Sequence, residues 1–244
     1  LTSNELGNNE IKLSPSQSHE SNILAVNLPW SLGTGNDDNY GTGAESRWTA
    51  FGDVSENNRT YRNDPFGKLN IAWIGINKDT VNSVDDGGFS SPIIDIDASQ
   101  NKIYRFSVWM KRQTGIDASN RSYFGLVGRG GTGESIVSAT SGTPVVSPQI
   151  LADFNMPIGD TWYLLVGFLR PNDSSTTTTL SDSFGGIYNT SGNRVDSTIN
   201  DEWKYLSDVD GLGITARHVL NTGVTEDEVE MWGPRIDVVD GNEP

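Results

Sequence analysis

The sequence predicts an all-β fold, a single antiparallel β-sandwich of jelly-roll type, from three observations. Ile103 to Arg112 (IYRFSVWMKR) alternates so regularly that a strand is the one economical reading of its backbone. Trp162 to Leu169 (WYLLVGFL) repeats the pattern, with Trp162, Leu164, Val166 and Phe168 on one face and Tyr163 and Leu165 on the other. Turn clusters of Gly, Ser, Thr, Asn and Asp separate short apolar runs throughout, with no heptad, internal repeat or amphipathic helix of ordinary length.

Composition agrees. The chain has 244 residues, a size common for one all-β domain, and its 34% hydrophobic content with 27 glycines implies long loops around an adequate core. A net charge of -15 would repel a nucleic-acid backbone, so nucleic acid is excluded as a partner. The same charge suits a neutral ligand or divalent cations. With no cysteine, disulfides and thiolate metal sites are excluded, and two histidines, His19 and His218, cannot build a His-rich zinc site. No run approaches the roughly 18 apolar residues of a membrane helix, so no membrane insertion is expected. A start at Leu1 suggests a processed chain or a piece of a larger protein.

In chain order, residues 1–21 are polar and aperiodic and read as a linker or flexible arm, leaving 22–244 as the sandwich. Ile23 to Leu28 reads as a first strand ending at Pro29 and Trp30, followed by a Gly-rich acidic loop to Ser46. Arg47 to Phe51 is a candidate strand, and the stretch after it, through DPFG, reads as an irregular loop presenting Arg59, Tyr61 and Arg62 at a rim. Leu69 to Ile76 is a strand covered on both faces. Pro92 to Ile96 leads into the strand at 103–112, and Ser122 to Gly128 is the next. Pro171 ends the strand at 162–169, and Gly186 to Asn189 is a strand before a turn at Gly192 and Asn193. Asp201 to Leu206 fits a helical turn as well as a strand. Gly213 to Leu220 and Glu228 to Val239 are the last strands, the second broken by Gly233 and Pro234.

For chemistry, the Gly-rich loops lack the Gly-Lys-Ser/Thr ending of a phosphate cradle and open no helix. No Gly-x-Ser-x-Gly elbow accompanies His218, which reads as a sheet residue or ligand contact. Glu228 and Glu230 share a strand face, yet the Glu-x-Asp-x-x-Glu pattern of jelly-roll glucanases is absent. A polysaccharide lyase would need Tyr163, Arg105 and His218 to converge. Calcium is better served: Asp37 with Asp38, Asp85 with Asp86, Asp95 with Asp97, and Asp208 with Asp210 offer hard oxygen ligands in turns, although each such turn also reads as a solvated one.

The seven tryptophans fit sugar binding best, because pyranose rings offer C–H faces to aromatic planes while polar neighbours take the hydroxyls. Trp162 reads as core; Trp30, Trp109 and Trp203, flanked by polar or turn residues, read as exposed. The face of 103–112 that carries Arg105, Ser107, Trp109 and Lys111 is the candidate binding surface. The alternative is that Trp109 lies under a neighbouring loop in a second small cluster.

Asn-Leu-Pro-Trp (27–30), Tyr-x-Phe-Ser-x-Trp-x-Lys-Arg (104–112), Trp-Tyr-x-Leu-Val-Gly (162–167) and Pro-Arg-Ile-Asp-Val-Val (234–239) together resemble the galactose-binding-like jelly rolls, which include many carbohydrate-binding modules. ENxR (56–59), DPFG (64–67), DGGF (86–89), GGIY (185–188) and the terminal DGNEP are similar to segments of phage tail-fibre and marine bacterial adhesin domains. The resemblance implies a non-catalytic module for a polysaccharide or cell-surface glycan, extracellular, on a cell surface or on a virion. It also implies a structural calcium (Ca2+) near Asn27 and Asp237, although Pro29 and Trp30 replace the Phe-Glu usual after the first strand of such modules. The fibre and adhesin likeness implies a structural or receptor-binding alternative with possible homo-oligomers; a lyase or hydrolase is the catalytic one. The expected sugar contacts are Arg105, Trp109 and Tyr163 on a concave sheet, Arg59 and Tyr61 at a rim, and Arg217 or His218 on a late strand.

Overall fold

The computed structural model describes residues 23–24, 30–40, 45–76, 87–113, 121–130, 136–138, 149–154, 156, 159–172, 185–196, 203–219 and 227–239. The arm expected over 1–21 lies outside them, and so does most of the first strand expected at Ile23 to Leu28. The strands are β1 (Gly33–Thr34), β2 (Thr49–Phe51), β3 (Asn57–Asn63), β4 (Leu69–Ile76), β5 (Gly88–Ser90), β6 (Ile94–Asp95), β7 (Tyr104–Arg112) and β8 (Arg121–Gly130). They continue with β9 (Ile136–Ser138), β10 (Gln149–Phe154), β11 (Trp162–Pro171), β12 (Gly186–Asn189), β13 (Arg194–Asp196), β14 (Trp203–Tyr205), β15 (Val209–Val219) and β16 (Glu228–Val238). Helix among the described residues is confined to short 3-10 turns, and no helix there is long and apolar enough to cross a membrane.

Two sheets face each other. The larger runs β1-β3-β4-β16-β7-β11-β12-β13, and the smaller runs β10-β8-β15-β5-β2. Within them, β4-β16-β7-β11 and β5-β15-β8-β10 alternate between sheets so that the late strand β16 returns between β4 and β7, which is jelly-roll order. The pairings are antiparallel except β14, which runs parallel to the Leu169–Pro171 end of β11. Within the stretch Asp201 to Leu206, whose sequence fits a helical turn as well as a strand, Trp203–Tyr205 is a strand, held between β11 and β9.

Alternation explains the core. Tyr104, Phe106, Val108 and Met110 of β7 point between the sheets with Tyr163 and Leu165 of β11, Met231 and Ile236 of β16, and Leu212, Ile214 and Ala216 of β15. One end is closed by Trp30, Trp48, Trp73 and Phe89, with Trp30 edge-on to the other three rings at 5.2–5.6 Å. Trp30 and Trp203 are thus buried, correcting the expectation of exposure; polar flanks on a short segment do not say which way an indole turns.

Asn57 ties this end together. Its Oδ1 accepts from Trp73 Nε1 and from the Gly88 amide, both at 2.9 Å, and its Nδ2 donates to the carbonyls of Phe51 and Asp53. At Gly87 a Cβ would run into the Glu56 carbonyl and the Ile76 amide, so backbone packs on backbone where only glycine fits.

Candidate functional site

The stretch expected as a rim loop is a strand: β3 spans Arg59, Tyr61 and Arg62, pairs with β4 along its length, and ends in a tight turn. Asp64 builds that turn. Its Oδ1 accepts from the amides of Phe66 and Lys68 at 2.9 Å each, its Oδ2 accepts from Asn70 Nδ2 at 2.8 Å, and Gly67 takes φ +79°. The DPFG tip thus presents Phe66 on a fixed frame.

That tip lies over the outer face of the larger sheet. Trp162 Nε1 donates to the Asn63 carbonyl at 3.2 Å, although β3 and β11 are four strand steps apart, about 19 Å in a flat sheet. The hairpin end therefore folds back across the sheet and makes the outer face concave. Phe66 meets Trp109 edge-on at 5.7 Å and Trp232 at 6.2 Å.

Register decides who shares this face. Trp109 stands opposite Leu164 and Trp232, Lys111 opposite Trp162 and Glu230, and Arg105 opposite Phe168 and Asp237. Trp109, Trp162, Leu164, Val166, Phe168 and Tyr188 form a second buried cluster, with Phe66 and Trp232 half-buried at its margin. Trp109 is only 5% exposed. The reading in which Trp109 lies under a loop in a second cluster is the one the structure shows, with Phe66 supplying the cover. Sequence reasoning missed Trp232 and Phe66 as the accessible rings; the DPFG turn and the Gly233–Pro234 break were the available signals.

Beside the rings sits a charged cluster. Glu230 takes Lys111 Nζ at 2.8 Å and Arg62 Nε at 3.5 Å, and Lys111 Nζ lies 5.2 Å from the Trp162 ring centre. Gly233, at φ +60°, forms with Pro234 a bulge between Trp232 and Arg235, which turns Arg235 back onto the outer face. Asp237, fully buried, accepts from Arg105 Nη2 and Arg235 Nη2 at 2.7 Å each. Burial alone would raise its carboxyl, but the hydrogen bond from Arg235 and the charges of Arg105 and Arg235 outweigh that and hold it below the usual carboxylate range.

The other expected contacts sit elsewhere. Tyr163 is one residue out of register with Trp109: it pairs with Met110 and points into the core between the sheets. Arg59 is buried in β3, not at a rim. It donates to the carbonyls of Ser31, Gly35 and Asn36, lies 3.6 Å from Asp37, and stacks over Trp73 at 5.0 Å. Burial lowers its affinity for the proton despite the neighbouring Asp37 and Asp38. Tyr61 is exposed, at 52%.

On β15, His218 points inward and is fully buried, its Nε2 3.0 Å from Asp227 Oδ2. Arg217 points out on the smaller sheet, its guanidinium 5.3 Å from the Phe51 ring and 5.6 Å from that of Tyr123. Arg105 thus lies on the outer face while Tyr163 and His218 point into the interior, so the three do not converge as a lyase would need.

The calcium ligand set does not fit at Asp237, where two guanidiniums occupy the carboxylate; Asn27 lies outside the described residues. Asp37 is taken by Ser31, Asn39 and Arg59, and Asp38 by Arg47. Arg129 bridges Asp95 and Asp210, and Asp97 caps the turn at Ser99. Asp85 and Asp86 lie outside the described residues. Among the described residues no group of three or more His, Asp or Glu is placed to hold a metal.

No protein-family model matches the sequence, and no curated protein matches it. Among solved structures, the chain is similar to the Clostridium thermocellum xylanase fragment that joins a carbohydrate-binding module to a catalytic module in complex with xylohexaose. That similarity has 13% identity and a TM-score of 0.38, covering 82% of this chain and 27% of that one. It is also similar to an exo-β-agarase, with 9% identity and a TM-score of 0.40, covering 85% of this chain and 25% of that one. A third similarity is to an engineered GH43 glycoside hydrolase, with 11% identity and a TM-score of 0.40, covering 87% of this chain and 42% of that one. The chain thus spans less than half the length of each of these three structures.

Proposed function

We propose that this domain is a non-catalytic carbohydrate-binding module, part of a larger secreted or surface protein, and that it lays a polysaccharide or surface glycan along the concave outer face of the larger sheet. The observation that carries the reading is the pairing, on one face, of half-buried aromatic rings with a preformed row of charged hydrogen-bonding groups. Phe66 and Trp232 offer apolar surface to the C–H face of a pyranose; Lys111, Glu230, Arg62 and Arg235 stand beside them to take hydroxyls. Trp109 and Trp162 beneath act as the rigid bed on which the accessible rings rest.

Ion pairing keeps these side chains in place before ligand arrives, which lowers the ordering cost of binding. The test is affinity electrophoresis against soluble plant, algal and bacterial polysaccharides, comparing wild type with Trp232→Ala and Phe66→Ala. The reading expects at least one polymer to retard the wild type and each variant to bind about tenfold more weakly or worse, a loss of about 1.4 kcal/mol. No retardation by any polymer, or retardation unchanged in both variants, overturns it.

A further inference from the structure

At one end of the sandwich, away from the aromatic rings, three segments enclose a groove of about 500 Å³: the 3-10 turn Ala98–Gln100 with Asn101, the end of β11 at Pro171 and Asn172, and the turn from Tyr205 to Asp208. We infer that this groove is a second binding site, for a short neutral saccharide or the end of a glycan chain.

The groove is preformed. Asn172 N–H donates to the Tyr205 carbonyl at 3.0 Å, Tyr205 Oη donates to the Lys102 carbonyl at 2.7 Å, and the Val209 amide closes the last turn on Leu206 at 3.2 Å. Asn101 adopts φ +50°, a left-handed conformation that asparagine tolerates better than most residues, and so ends the 3-10 turn at the groove. These bonds stitch the three segments together.

The lining has the chemistry of a sugar site. Ala98 and Pro171 are buried and, with Leu206, supply apolar surface for C–H groups; Asn101, Asn172 and Ser207 are exposed and supply amide and hydroxyl partners. The volume lies within the roughly 300–1,000 Å³ of small-molecule sites. No Lys or Arg lines the groove, and Asp208 does. Next to it Asp97 is held below the usual carboxylate range by side-chain and backbone hydrogen bonds from Ser99, by Gln100 and by the charge of Lys102. Phosphorylated, sulfated or uronic sugars are disfavoured there, and a neutral polyol is not.

The experiment is a nitrogen–proton correlation NMR titration of the full chain with maltose, cellobiose and lactose, alongside glucose 6-phosphate and calcium chloride as separate arms. The inference expects at least one neutral disaccharide to shift the amides of Asn101, Asn172 and Ser207. The same shifts are expected in Trp232→Ala, and their loss in Asn101→Gly/Asn172→Ala, where glycine keeps the left-handed backbone. Preserved dispersion elsewhere in the double variant shows that it still folds. No shift at these amides with any disaccharide, shifts that survive the double variant, or equal shifts with glucose 6-phosphate or calcium alone overturn it. Because Trp232→Ala leaves this groove intact, failure here and failure on the outer face read out separately.

Discussion

Trp109 and Trp232 stand opposite each other across β7 and β16, yet only Trp232 is left half-open, because Phe66 from the β3–β4 tip closes edge-on against both. This pairing divides the outer face into a buried bed and a half-open layer above it. Truncating Trp109 removes buried packing and is expected to cost about 3–5 kcal/mol. Trp232→Ala is expected to cost markedly less. Urea unfolding of the two variants measures the difference, and equal losses would contradict the division.

Asp64 positions Phe66 without facing the rings. Asp64→Ala removes an acceptor for the amides of Phe66 and Lys68 and for Asn70 Nδ2, and leaves these donors without that partner at the turn. The expected result is a several-fold weaker retention by any polysaccharide that binds wild type, with Asp64→Asn recovering part of it. Unchanged retention in Asp64→Ala would show that the turn does not set the ring.

The Arg105–Asp237 pair joins β7 to β16 under the outer face. Removing Arg105 leaves the buried Asp237 with Arg235 as its remaining cation, so Arg105→Ala is expected to cost less than the roughly 3–5 kcal/mol of a fully unpaired buried charge. Asp237 has a folded-state pKa below its unfolded one, so its contribution is present above the ordinary aspartate value of about 3.9. It is lost as pH falls below that value and through the lower folded-state one. Urea midpoints of wild type are therefore expected to fall below about pH 4, and those of Asp237→Asn to fall less over the same range. Parallel curves would exclude Asp237 as a source of the acid sensitivity.

The strands were legible because alternation is local. β7, β11, β4, β8 and β16 lie where their side-chain periods put them, and the break at Gly233–Pro234 is a bulge. Cross-strand register was not legible: nothing in WYLLVGFL alone says that Leu164, and not Tyr163, stands beside Trp109. Burial of polar residues was also hidden. Arg59 reads as a rim cation because its neighbours are Asn, Thr and Tyr, but its partners are carbonyls more than twenty residues earlier. The same holds for His218, whose partner Asp227 lies just before β16.

Arg59 shows what such a residue holds. Its guanidinium donates to Ser31, Gly35 and Asn36 and anchors the segment that carries β1. Lysine has one donor group and cannot reproduce this fork, so Arg59→Lys is expected to destabilise by at least about 1.5–3 kcal/mol, the value of a single hydrogen bond to a charged group. A thermal melt of Arg59→Lys that overlays wild type would contradict the anchoring role.

Whether the accessible rings of the concave outer face bind glycan is measured most directly by the retardation of wild type and Trp232→Ala in gels containing each polysaccharide of a broad panel. At least one polymer is expected to slow wild type and to leave folded Trp232→Ala running nearly as in the polymer-free gel. Equal retardation of both proteins, or none of either by any polymer, would contradict it.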